Sequence, residues 1–229
     1  MTHDGSISPL TTRAQWADRR LRLAILTGEI APGTRIRPGD LAREWDVSAT
    51  PLREAIHRLA ADGLLVESPH RGATVAPLDR GDMLELYELR LLVEPRALEK
   101  SLDATDESHR EQMRRAHDAW AAADSSPDTD PLTREEAHQR FHRSLLARCP
   151  SRRMLAQIDA YSEHSTRYRL AAGSVQPGDA RGRKEHRRLL DLCLAGDVGA
   201  AADALRDHLM LTVNTVLERE GLQSDAPTT

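Results

Sequence analysis

The 229-residue chain holds two cysteines, two lysines and no apolar run near the ~18 residues a membrane span needs. Cys149 and Cys193 form no close-spaced motif and read as small apolar packing residues. With no apolar leader either, the expectation is a cytoplasmic protein with reduced thiols and no membrane contact. Charge of one sign is also missing, since 32 basic residues face 36 acidic ones, a net charge of −4. Residues 1–77 carry 10 basic and 9 acidic side chains; the rest carry 22 and 27. Any basic patch must therefore be local. Lys100 and Lys184 are the only lysines, so arginine, with its bidentate geometry, supplies almost all positive charge. No internal repeat is visible. A chain of this length holds one or two domains with real cores.

What is present centres on Asp40–Gly63, DLAREWDVSATPLREAIHRLAADG. Two short helical patterns flank a tight break. In the second, Leu52, Ala55, Ile56 and Leu59 share an inward face, and Thr50, Arg53, Glu54 and His57 lie opposite. Ser48 is placed as N-cap, and Pro51 sits in the first turn, where its missing N–H costs little. This pattern reads as a helix-turn-helix. An arginine among small hydroxyl residues suits phosphates and guanine edges in a major groove. Ser48, Thr50 and Arg53 are the candidate readers, with Arg43 and His57 beside them. Strand-like pieces near Leu64–Ser68 and Ala73–Ala76 follow, turned by Pro69-His70-Arg71-Gly72. That hairpin reads as a wing able to lay His70, Arg71 and the Gly72 backbone against DNA.

Before this stretch, Met1–Pro9 looks like a loose tail. Thr11–Thr27 reads as a helix with Leu21, Ala24, Ile25 and Trp16 on its apolar side. Ala31-Pro32-Gly33-Thr34 turns into Arg35-Ile36-Arg37. Residues 1–77 thus form a winged helix-turn-helix domain, and 78–81 a short linker. Six helical patterns follow: Asp82–Ser101, with Leu84, Leu91, Ala97 and Leu98 apolar and Pro95 a candidate kink, then Thr105–Ala123, Thr133–Arg148, Ser151–Ala171, Arg183–Ala195 and Gly199–Glu220. Gly173–Gly182 reads as a loop, and residues 222–229 as a disordered tail. The fold class is mainly α, with an N-terminal winged helix-turn-helix domain and a C-terminal all-α antiparallel six-helix bundle over 82–221.

Four of the ten histidines stand out. His138 and His142 are four apart on one helix, with side chains one turn apart on the same face. His186 lies ten residues before the Gly196–Gly199 turn and His208 nine after it. In an antiparallel pair both then sit about 15 Å from the turn, at the same height. Two helices can aim one imidazole each at a point where a third supplies two. His117 and His164 match no such scheme. Glu135, seven residues from His142 and about 10 Å along the axis, is a poor candidate ligand.

ILTGEIAPGTRI from Ile25, LAREWDVSATPLREAIHRLAADGLL from Leu41 and HRGATVAPL from His70 resemble the GntR family of bacterial transcription regulators. LYELRLLVEPRALE from Leu86, FHRSLL from Phe141 and EHRRLLDLCLAGDVGAAADALRDHL from Glu185 resemble the FCD effector domain of its FadR subfamily. Six helices are similar to the VanR-type branch. The resemblance implies a divalent metal held by one Asp and three His, the latter matching His142, His186 and His208. The Asp position is occupied by His138, which is either a fourth ligand or a residue behind the ligands. Four neutral nitrogens suit zinc, nickel or copper better than magnesium or manganese; zinc is expected first and nickel next. The resemblance also implies that Arg90 faces the cavity and pairs with an effector carboxylate; Arg96 and Arg167 are weaker candidates. Many family members carry Arg where this chain has Ala49, so its operator is expected to differ.

The expected function is a DNA-binding transcription repressor, a homodimer on a palindromic operator, answering to a small organic acid. A second reading makes the metal itself the signal. A third, a metal-dependent hydrolase, lacks a His-Glu-x-x-His motif and any acid or base placed beside the four His, and leaves the DNA-reading motif unexplained.

Overall fold

The first helix starts on a reciprocal cap: the Gln15 amide N–H donates to Thr12 Oγ1 at 3.2 Å, and the Thr12 amide N–H to Gln15 Oε1 at 2.9 Å. The computed structural model describes residues 12–68, 72–171 and 180–220. The chain divides into two units, Met1–Leu78 and Asp79–Thr229. The N-terminal tail, His70, Arg71, most of the 173–182 loop and the 222–229 tail lie outside the described residues.

In the first unit the order is α1 (Arg13–Leu26), β1 (Arg35–Ile36), α2 (Pro38–Glu44), α3 (Ala49–Ala61), β2 (Leu65–Ser68) and β3 (Gly72–Val75). Helix α3 packs on α1, burying Leu52, Ala55, Ile56 and Leu59 against the face that carries Leu21, Ala24 and Ile25. Trp16 meets Trp45 edge to face, with centroids 6.2 Å apart. Arg22 to Asp62 (2.6 Å) and Arg58 to Asp18 (2.7 Å) pin α1 to the end and the flank of α3. Asp46, in the break between α2 and α3, takes φ +50°, a conformation its short polar side chain tolerates.

The sheet contains the expected hairpin and extends it. Arg35–Ile36 adds as a third, antiparallel strand, giving the order β1-β3-β2 with Arg35 opposite Thr74 and Leu65 opposite Val75. A two-residue strand carries too little alternation to be seen in a sequence. Gly72 is required there: its φ is +83°, and a Cβ would come within 3.1 Å of the Ile36 carbonyl oxygen.

The second unit contains α4 (Arg80–Leu102), α5 (Glu107–Ser125), α6 (Pro131–Leu145), α7 (Arg152–Ala171), α8 (Ala180–Ala195) and α9 (Val198–Glu220), and no strand among the described residues. Asp79, Asp106 and Asp130 cap α4, α5 and α6 by accepting from the third helical N–H, and Pro131 occupies the first position of α6. Helix α4 packs on α9 and α7, α5 on α6, and α8 on α9 and α5. Met83, Tyr87, Leu98, Met113, Phe141, Leu145 and Leu189 fill the interior. Helix α4 runs unbroken through buried Pro95. Leu84, one of the apolar positions of this helix, is 40% exposed, as are Leu89 and Leu92 to similar or greater extents. Helix α8 begins three residues earlier than expected, so Gly182 is helical. Both cysteines are buried and unpaired, and burial pushes the Cys193 thiol up to about 12.

Candidate DNA-reading surface and metal centre

The apolar stripe of α3 fixes which residues face out. Thr50, Arg53, Glu54 and His57 are exposed, as the 3.6-residue period requires. Ser48 is the N-cap of α3, as its placement predicts, with the extended backbone of that position, although its hydroxyl makes no capping bond. Arg53 makes no ion pair among the described residues. It lines a surface hollow with Ile56, His57, Glu67, Gly72 and Ala73, so recognition helix and wing share one concave surface. His57 Nδ1 lies 2.9 Å from Glu67 Oε1 on β2, a link between helix and wing that sequence spacing does not signal. Arg43 is highly exposed and loosely tied to Asp40 at 2.6 Å, one helical turn away. His70 and Arg71 are outside the described residues.

In the second unit the four histidines converge. Helix α6 brings His138 and His142, α8 brings His186 and α9 brings His208, and one ligand atom from each lies within 4.8 Å of the others. The Nε2 atoms of His138 and His186 are 3.0 Å apart, those of His142 and His138 3.1 Å, and those of His142 and His186 3.2 Å. A tetrahedral zinc with bonds of about 2.0–2.1 Å needs ligand nitrogens about 3.3–3.4 Å apart, so a cation fits with small ring movements.

Protons alone satisfy this triangle poorly. His186 Nδ1 lies 2.6 Å from the Gly182 carbonyl oxygen, which can only accept. The ring proton is therefore on Nδ1, and Nε2 presents a lone pair to the centre. Of the other two Nε2 atoms, both can donate to His186, but two N–H groups then face each other. A central cation accepts all three lone pairs. Burial, reinforced by the neighbouring imidazoles, holds His142 and His186 well below the usual histidine range, and burial lowers His138 despite Glu135. Neutral rings are the form a metal binds. Trp120 on α5 covers the cluster, its ring centroid 4.2 Å from that of His186, and His117 packs edge-on against Trp120 and Phe141.

Behind the cluster sits Glu135, 1% exposed. It accepts from Thr166 Oγ1 at 2.9 Å and pairs with buried Arg169. Burial is the largest single influence and would raise the Glu135 pKa; the Arg169 charge and hydrogen bond, acting together with neighbouring His138, outweigh it and hold the carboxyl far below the usual range. Arg169 lies 34 residues from Glu135 with no periodic signal to join them, so this pairing is not visible in the sequence.

Arg90 is buried, and it borders a cavity that also exposes His142 and the apolar Leu145, Leu146, Leu155, Ile158 and Leu205. Its guanidinium is already engaged: Nε lies 2.6 Å from Glu94 Oε1 and Nη2 3.4 Å from Oε2. Glu94 was missed, although its i+4 spacing from Arg90 was a usable signal. Arg96 pairs with Glu99 at the surface, and buried Arg167 lies over the Tyr168 ring at 5.3 Å.

Comparison with known proteins agrees with both units. Residues 14–75 match the bacterial regulatory proteins of the gntR family, and residues 85–210 match the FCD domain. The HTH-type regulator BphR of Paraburkholderia xenovorans is 27% identical, over 86% of this chain and 82% of its own length. The HTH-type transcriptional repressor GlaR of Escherichia coli is 25% identical, over 85% and 91%. Among solved structures, E. coli McbR/YncC superposes with a TM-score of 0.75 over 92% of this chain and 100% of its own, at 16% identity, a likeness of fold. Among the described residues no helix is long and apolar enough to cross a membrane. The chain belongs to the GntR family of bacterial transcription regulators, in the group that carries an FCD domain.

Proposed function

We propose that this regulator is a repressor whose FCD domain holds a divalent cation, zinc first, on His138, His142, His186 and His208, and answers to a small carboxylic acid. The observation that carries this reading is the triangle of Nε2 atoms 3.0–3.2 Å apart, one corner of which, His142, borders the cavity that Arg90 lines. Zinc would supply a Lewis-acidic centre for a carboxylate oxygen. Arg90 would offer the guanidinium edge that Glu94 leaves open. The apolar walls would take the rest of the acid.

In a homodimer, two copies of α3 would meet a palindromic operator, with Arg53 and Thr50 at base edges and Ser48, Arg43 and the wing at phosphates. The acid must bind one placement of the winged units better than another, or it shifts nothing. A bacterial regulator of this kind works in the cytoplasm. The test is a thermal-shift screen of small mono- and dicarboxylic acids on zinc-loaded protein, followed by gel shifts on the operator. An acid that raises the melting temperature and changes operator affinity supports the reading; no response to any acid by either measure contradicts it.

The all-imidazole ligand set favours a second reading, in which the metal is the signal. Metal titrated into chelated protein would then release operator with no acid present. A metal that binds and leaves operator affinity unchanged rules that out.

A further inference from the structure

We infer that Glu135 is the positioning residue for His138, its carboxylate accepting the imidazole Nδ1–H when a divalent cation sits at Nε2. The inference rests on the metal reading above. Glu135 and His138 are three apart on α6, on one face. Glu135 Oε1 lies 3.8 Å from His138 Nδ1, too far for a hydrogen bond. Glu135 Oε2 and His138 Nδ1 are both buried, and neither has a hydrogen-bond partner among the described residues. One is an acceptor and the other a ring nitrogen, and buried polar groups are rarely left this way.

A cation removes the mismatch. An imidazole that gives its Nε2 lone pair to a metal carries its proton on Nδ1, and that N–H then needs an acceptor. Glu135 is the carboxylate in place, and a small side-chain rotation closes the gap to the ~2.7–2.9 Å of a charge-assisted bond. The carboxylate is held from α7: Arg169 and Thr166 both donate to Oε1, and Gln139 Nε2 donates to Thr166 Oγ1 at 2.8 Å. Anchored there, Glu135 stays out of the group of converging ligand atoms. A negative charge thus stands directly behind a ligand set that has none of its own.

The test is zinc affinity, measured on the full chain by competition with a chromophoric chelator. Glu135→Gln should weaken binding by about 10–100-fold, the usual cost of losing such a support. In a His138→Asp background the same change should leave affinity unchanged or raise it, because no imidazole remains to orient. An equal loss in both backgrounds would mean a general structural role and overturn the proposal. If Glu135→Gln fails to fold with Arg169 left unpaired, Glu135→Gln/Arg169→Met removes both charges together and should show the same loss; unchanged affinity overturns the proposal. A wild-type protein that takes up no zinc overturns the metal reading and this inference with it. Tight wild-type binding with equally tight Glu135→Gln binding overturns this inference alone.

Discussion

Helices α3 and α6 obey the same 3.6-residue rule and use their polar residues in opposite ways. In α3 the apolar stripe faces α1, and Arg53, Thr50 and His57 are left in solvent. In α6 several polar residues are turned in beside the apolar Ala137 and Phe141: Glu135 is buried, and His138 and His142 converge with His186 of α8 and His208 of α9. An exposed reader costs nothing to keep and acts when a partner arrives. A buried cluster must be satisfied from inside, by Arg169, Thr166, the Gly182 carbonyl and, on the present reading, a cation. Losing an exposed reader on α3 should therefore cost little stability, whereas losing a partner inside the α6 cluster should cost more.

Breaking one ion pair in each unit gives the largest contrast. Glu94→Ala leaves Arg90 charged and buried, and should cost about 3–5 kcal/mol of unfolding free energy in urea titration. Asp40→Ala removes the exposed partner of Arg43 and should cost under about 1 kcal/mol. Equal costs would erase the distinction. Next come the imidazoles. With zinc at about 1,000 times its Kd, the wild-type protein should gain about 4 kcal/mol, and His142→Ala and His208→Ala should lose most of that gain in metal-dependent melting. Arg53→Ala should weaken specific operator binding by about 1–3 kcal/mol per half-site in gel shifts while leaving the melting temperature unchanged. Unchanged specific affinity would remove Arg53 from the reading set.

Acid sharpens the comparison further, through the buried imidazoles of the second unit. Native His142 and His186 sit well below 6.5, the value expected unfolded, so below that pH the unfolded chain binds more protons. Their stabilising contribution is whole above pH ~6.5 and is lost as pH falls from there toward the depressed native values. Metal-free protein should therefore melt at lower temperature at pH 5.5 than at pH 7.5. A flat profile would show that these rings are not buried neutral.

Sequence legibility followed the same division. The polar face of α3 could be assigned from local spacing alone, since one helix sets it. The four histidines needed the turn at Gly196 as a fixed point: counting arms from it places His186 and His208 at one height, and the structure brings their rings to 4.5 Å. Arg169 and Trp120 were not legible, because each reaches the cluster from a helix with no fixed register to α6. Leu84 shows that an apolar residue at helical spacing need not be buried. Ser48 has the cap conformation without the cap bond, a detail that spacing does not signal.

The account depends most on the converging imidazoles holding a cation. The direct test is X-ray absorption at the zinc edge, on protein loaded with zinc and then freed of excess by gel filtration. One zinc per chain, with four imidazole nitrogens at about 2.0–2.1 Å, is the predicted result. Protein that retains no zinc, or a first shell dominated by oxygen or sulfur, would contradict it.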